Sequence, residues 1–226
     1  NNLFIAIKGR KNDAHDFLDE AIDNGANYCI VSKKLNKNSR MIKTKNTMNF
    51  LNLLAKEYRS SSSAKFIGIT GSSGKTTVKT LIGNVLKEYS STYFSPKSYN
   101  NQYGVPLSLC NMNPNDNFGV FEIGMSKFNE INKLSSIVKP DIGIITNISE
   151  AHLENFKSIK EIAKAKSEII YNIKKDGTII LNRDDRFFNY FQQIAKKNNI
   201  KIISFGYSYK SDVKFLSLKK TKNKIN

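Results

Sequence analysis

KFIGITGSSGKTTVKTL, residues 65–81, holds three kinds of sequence in one short stretch. It opens on an apolar run, Phe66-Ile67-Gly68-Ile69, of the kind that forms a buried parallel strand. A loop of small residues follows, Thr70-Gly71-Ser72-Ser73-Gly74, and Lys75-Thr76-Thr77 then leads into an apolar-periodic segment that reads as a helix. Strand, glycine loop and helix together make a phosphate cradle, because N–H groups at the helix start point at an anion and the helix dipole adds positive potential. In such a cradle Lys75 reaches the terminal phosphates and the Thr76 hydroxyl holds Mg²⁺. Gly-Ser-rich turns are common and carry no chemistry by themselves, but a Gly-Lys-Thr at a strand-to-helix turn favours the cradle. The general spacing G-x-x-x-x-G-K-[ST] would put glycine at position 69, where Ile69 stands, so the loop is the variant T-G-S-S-G-K-T-T.

Downstream, the pattern alternates regularly. Strands are predicted at 66–70, 92–94, 118–123, 142–146, 178–182 and 200–205, with helices over 76–88, 128–138, 158–173 and 184–197. Such alternation predicts an α/β fold with a doubly wound, mostly parallel sheet, whose ligands bind beyond the carboxyl ends of the strands. Upstream, Leu3–Ile7 and Tyr28–Val31 read as strands. Asp13 is placed to cap a helix through HDFLDEAIDN that stops at Gly25. Met48, Leu51, Leu54, Ala55 and Tyr58 recur at helical spacing. The serines 60–63 mark a boundary, so the expected domains are a small α/β unit over 1–62 and a larger one over 63–226.

With 39% hydrophobic and 11% aromatic residues, the chain of 226 residues has an ordinary soluble composition. The net charge of +17 invites a nucleic-acid reading. The lysines, however, are scattered among asparagines, and no base-stacking motif or groove-reading helix accompanies them. No nucleic-acid partner is expected, and the excess charge is read as solvated faces that favour a polyanionic nucleotide. Cys29 and Cys110 sit in apolar contexts without metal-ligand spacing or a disulfide framework, which fits a reducing compartment. No run approaches membrane-spanning length and no signal-peptide core is visible, so a cytoplasmic monomer without a membrane partner is expected. The chain starts at Asn1 and ends in KKTKNKIN, and both ends are expected to be cut.

Other residues at strand ends could carry chemistry. Glu122 ends an apolar strand, where a carboxylate is costly to bury without a cation. An Mg²⁺ beside nucleotide phosphates would satisfy it, and so would one of the many lysines. His152 follows the strand ending at 146, and a lone histidine is more often structural than catalytic. Lys166, in KEIAKAKSEII, reads from spacing alone as a solvated helix lysine. Asn100 and Asn101 could orient a polar substrate or simply form a turn. Asn182, Asp184 and Asp185 could line a nucleotide site or cap the next helix.

Taken together, GITGSSGKTT, SYNNQYGVPLSL, the segment from Glu122 to Ile169 and ILNRDD resemble the Mur ligase superfamily, ATP-dependent amide-forming enzymes of cell-wall and folate chemistry. Within it they are most similar to the UDP-N-acetylmuramoyl-tripeptide–D-alanyl-D-alanine ligases, and LFIAIKGRKNDAHDF resembles that family's uridine-nucleotide-binding domain. The resemblance runs from residue 3 to roughly residue 206. It implies that Gly71, Ser72, Ser73, Gly74, Lys75, Thr76 and Thr77 bind ATP, with Thr76 and Glu122 as ligands of one Mg²⁺. It further implies that His152 helps hold a second Mg²⁺, that Lys166 is carried as a carbamate near the metals, and that Asn100 and Asn101 face the substrate. Lys75, His152 and Lys166 are then the catalytic set. The implied reaction is peptidoglycan precursor synthesis: ATP phosphorylates the carboxylate of UDP-N-acetylmuramoyl-tripeptide, and D-alanyl-D-alanine displaces phosphate. Earlier stem-peptide ligases, folylpolyglutamate synthase and a non-catalytic nucleotide-binding fragment are the alternatives, and NNQYGVPLSL favours the first reading over the sibling ligases. Three departures stand out. The family usually begins before Leu3, Ala14 stands where its D-G-H string has glycine, and nothing here corresponds to its carboxyl-terminal domain. The expectation is a two-domain portion of a three-domain ligase, inactive in ligation by itself.

Overall fold

The computed structural model describes residues 2–9, 11–33, 39–150, 155–217, 220–221 and 224–225. The chain divides into two compact units, Asn1–Ser60 and Ser61–Asn226. In the first, strands β1 (Asn2–Ile5), β2 (Ala26–Val31) and β3 (Met41–Lys43) form a parallel sheet in that order. A 3₁₀ turn, Ala14–Phe17, leads into helix α1 (Leu18–Asp23). Asp13 caps that turn by accepting from the His15 N–H at 3.1 Å, and Gly25, at φ 92°, ends the helix. Ala6, Leu18, Ala26, Cys29 and Val31 form this unit's buried core. Helix α2 spans Thr47–Ser61, so the first two serines of the 60–63 run finish a helix.

The second unit is built on a seven-stranded sheet. Its strands are β4 (Lys65–Thr70), β5 (Thr92–Phe94), β6 (Phe118–Glu122), β7 (Ile142–Ile145), β8 (Thr178–Asn182), β9 (Lys201–Gly206) and β10 (Val213–Lys214). The order is β10-β9-β8-β7-β4-β6-β5, and every neighbouring pair is parallel. Phe66, Ile69, Val120 and Phe121 are fully buried, as expected of parallel strands covered on both faces. On one face helix α3 (Lys75–Lys87) lays Val78, Ile82 and Leu86 on a core of Ile67, Ile69, Val120 and Ile144.

Helices α4 (Gly104–Cys110), α5 (Glu130–Val138), α6 (Ile159–Ser167) and α7 (Phe188–Lys197) fill the remaining crossovers. Two helices depart clearly from their predicted bounds, and one helix was not expected. The helix predicted over 158–173 gives way to a 3₁₀ segment, Glu168–Asn172, where Glu168 accepts from the Asn129 and Asn132 N–H groups at the start of α5. The helix predicted from 184 starts at Phe188, because Asp184 and Asp185 are engaged in the turn before it. Helix α4 was not visible in the pattern, because most of it is buried and it has no polar face to set a period. Its Pro106 lies in the first turn, where a missing N–H costs no helical bond.

The strand order puts the site at one place. β4 lies between β6 and β7 while β5 lies outside β6, so the sheet changes its direction of growth at β4. Ile69 pairs with Glu122 and Thr70 with Ile145, which brings the loops leaving β4, β6 and β7 to one edge.

Candidate functional site

The loop after β4 has a shape only glycine permits. Gly71 has φ 151°, and a Cβ there would stand 1.8 Å from the Thr146 Oγ1. Gly74, at φ 77°, turns the chain into α3. A second loop, following β7, fastens the first. The Ser72 N–H donates to the Asn147 carbonyl at 2.9 Å, and the Ser73 N–H and hydroxyl both donate to Asn147 Oδ1. Thr146 Oγ1 donates to the Ser73 carbonyl at 2.7 Å, and the Ser72 hydroxyl donates to the Ser149 carbonyl. The loop is therefore set before any anion arrives.

Lys75 opens α3 and donates to the Gly71 carbonyl at 2.9 Å and the Ser72 carbonyl at 3.3 Å. Lys166, projecting from α6, donates to the same Gly71 carbonyl at 2.8 Å. On the other side of the loop, Thr76 Oγ1 donates to Glu122 Oε2 at 2.7 Å, and Asn100 Nδ2 donates to Glu122 Oε1 at 2.7 Å. Glu122 is 1% exposed. Its charge partly offsets the downward push of burial on the Lys75 and Lys79 ammonium groups. An excess of buried cation over carboxylate beside exposed helix N–H groups is suited to a polyphosphate.

Residues 69–226 match the Mur ligase middle domain family. The chain belongs to that family. A UDP-N-acetylmuramoyl-tripeptide–D-alanyl-D-alanine ligase from Rickettsia prowazekii is 40% identical over 221 residues, which make 96% of this chain and 49% of that protein. The structure is similar to that of MurF from Acinetobacter baumannii, with TM-score 0.88 and 32% identity over 96% of this chain and 47% of that one. It is similar as well to a MurF ligase from Thermotoga maritima solved in complex with ADP, with TM-score 0.87 and 31% identity over 99% of this chain and 51% of the other. The chain thus spans about half the length of the curated relatives it matches.

Within this Mur ligase middle domain, the structure brings Gly71, Lys75, Thr76, Asn100, Glu122 and Lys166 together. Thr77 is exposed in the first turn of α3. Asn101 makes local contacts instead, its Oδ1 accepting from the Tyr103 and Gly104 N–H groups at 3.1 and 2.9 Å, at the start of α4. Asp185 accepts from the Ile148 and Phe187 N–H groups, and Asp184 from those of Tyr207 and Ser208, so both tie loops together and neither side chain caps α7. His152 lies outside the described residues. Thr146, Asn147 and Lys79 were not singled out from sequence. Lys79 carried a usable signal, since it follows Lys75 by one helical turn on the same face.

The donors present fit a hard cation. A hydroxyl and a carboxylate, both oxygen ligands, face each other through Thr76 and Glu122. Among the described residues no group of three or more His, Cys, Asp or Glu could hold a metal, so phosphate oxygens and water would complete the shell, the usual pattern for Mg²⁺. Among the described residues no helix is long and apolar enough to cross a membrane.

Lys166 is 2% exposed and its ammonium is lowered to about 7, first by burial and then by the charge of Lys75. An unfolded lysine keeps its proton to about 10.5, so between those values the unfolded chain binds more protons and stability rises with pH. In CO₂-free buffer the stability of the parent relative to Lys166→Met should rise from pH 7 to 10, on the order of 1 kcal/mol per pH unit. Urea unfolding across that range checks it, and parallel profiles for the two proteins would contradict it.

Proposed function

We propose that this chain is the nucleotide-binding part of a cytoplasmic, monomeric ligase that joins D-alanyl-D-alanine to UDP-N-acetylmuramoyl-tripeptide at the expense of ATP. The observation that carries the reading is the buried Glu122, held by Thr76 and Asn100 beside Lys75 on a glycine loop of the Mur ligase type. Its similarity to a ligase of that name and to a relative solved with ADP supports the choice of nucleotide and substrates.

The chain's own residues do mainly electrostatic and positioning work. Lys75 exchanges the Gly71 and Ser72 carbonyls for phosphate oxygens, a stronger charge-assisted pairing. The N–H groups at the start of α3 receive the same phosphates, while those of Ser72 and Ser73 stay with Asn147. Thr76 and Glu122 would hold Mg²⁺, which when bound neutralises charge on the transferring phosphoryl group. Asn100 presents its amide at the edge of this site, and we place Asn101 beside it toward the substrate. In this reading the uridine nucleotide binds the first unit, and His152 and Lys166 help hold a second Mg²⁺.

Lys166 has a chemical part in this reading. A neutral amine there reacts with CO₂, forming an N–C bond and releasing a proton, and the resulting carbamate is an anion with two acceptor oxygens. Beside Lys75 that anion replaces repulsion with attraction.

Lys75→Ala should lose measurable Mg·ATP binding while keeping its fold, because the amine is held at the loop and not in the apolar core. Calorimetry with Mg²⁺ checks it, and equal affinity in mutant and parent would refute the phosphate assignment. In the ligase assay of the full-length protein, Lys166→Ala should be nearly inactive and partly restored by a small added carboxylate. Lys166→Arg, still cationic, should be inactive without rescue. Parent-like turnover in Lys166→Ala with no carboxylate added would rule out the carbamate.

A further inference from the structure

Lys79 is buried to 1% exposure on α3, an unusual place for a lysine that, among the described residues, forms no ion pair with a carboxylate. Its Nζ donates to the main-chain carbonyl of Lys97. Helix and turn meet closely because Gly83, one turn further along α3, leaves room for Phe94: a Cβ at Gly83 would stand 2.4 Å from the Phe94 ring.

The segment that Lys79 grips, Ser95 to Asn100, crosses from the end of β5 to the site. It is fastened at one end to β6 and at the other to the loop that follows β6. The Ser95 N–H donates to the Val120 carbonyl at 3.0 Å, and the Gly124 N–H donates to the Asn100 carbonyl at 2.8 Å. Between these anchors Lys97 takes a left-handed conformation, φ 45°, which costs a residue with a Cβ and needs a compensating contact. The Lys79 ammonium supplies it. Two side chains of the same segment then face the metal-binding oxygens: Ser98 Oγ stands 3.4 Å from Thr76 Oγ1, and Asn100 Nδ2 donates to Glu122.

We infer that Lys79 is a positioning residue, which clamps the left-handed turn at Lys97 so that Asn100 is preset on the Glu122 carboxylate before nucleotide arrives. A methionine of similar length would fill the same apolar space without the hydrogen bond, so the amine, and not the volume, is the functional feature. For its effect on affinity the inference rests on the nucleotide reading above; for the position of Asn100 it does not.

The test uses the ¹⁵N-labelled 226-residue chain, with the Asn100 side-chain amide resonances assigned through their loss in Asn100→Ser. In Lys79→Met those resonances should move to the range of exposed amides. The gain in ADP affinity on adding Mg²⁺ should fall about tenfold, the size expected for one misplaced hydrogen-bonding group. Lys79→Arg keeps a donor and should restore the Asn100 resonances. If Lys79→Met does not fold, Lys79→Gln takes its place, and its shorter amide should displace the Asn100 resonances as well. Unmoved Asn100 resonances in the variant that folds, whatever happens to its melting temperature, overturn the inference. A parent chain that binds no ADP refutes the nucleotide reading instead, and the resonances still decide the role of Lys79.

Discussion

A carboxylate buried at the end of a parallel strand organises the second unit. Glu122 would be expensive in that apolar setting with no partners. It receives hydrogen bonds from Thr76 and Asn100 and lies in the field of Lys75 and Lys79. The partners come from two pieces of chain: the start of α3 supplies Thr76 and the two lysines, and the segment after β5 supplies Asn100. The strand order makes the meeting possible, because β4 pairs with β6 and not with its sequence neighbour β5.

Set against that one carboxylate are the amines of Lys75, Lys79 and Lys166, each displaced downward by burial. Further negative charge at the loop would offset that imbalance. In the proposed function, nucleotide phosphate would supply it on one side of the loop, and a carbamate on Lys166 would supply it on the other. Meanwhile the loop itself is rigid: Gly71 leaves no room for a side chain against Thr146, and Asn147 holds Ser72 and Ser73. Preorganisation of this kind spares the protein the cost of ordering the loop when the anion binds.

Much of this was legible in residues 65–81 because the information there is local. An apolar run, a glycine loop and a Lys-Thr pair are contiguous, and strand pairing only carries them to the site. The long parallel strands were legible for the same reason, since burial on both faces leaves a near-continuous apolar run. Short elements such as β3 and β10 have too few residues to set a period. The roles of particular polar residues depended on tertiary contacts. Asn100 and Asn101 are adjacent and alike in sequence, yet one reaches Glu122 and the other ties down α4. Lys79 shares a helix face with Lys75, but its burial shows only once the turn after β5 is laid over it. Lys166 gives no local sign of burial, because its covering comes from the distant loop at Gly71.

The central claim is that Thr76 and Glu122 form a metal site that works together with nucleotide on the glycine loop. Crystals of the 226-residue chain grown with ADP and Mn²⁺ would locate the cation by its anomalous scattering. The expected result is a single strong peak at about 2.0–2.3 Å from Thr76 Oγ1 or a Glu122 carboxylate oxygen, with ADP phosphate completing the shell. A peak elsewhere, with Glu122 still holding Thr76 and Asn100 as it does here, would contradict the claim.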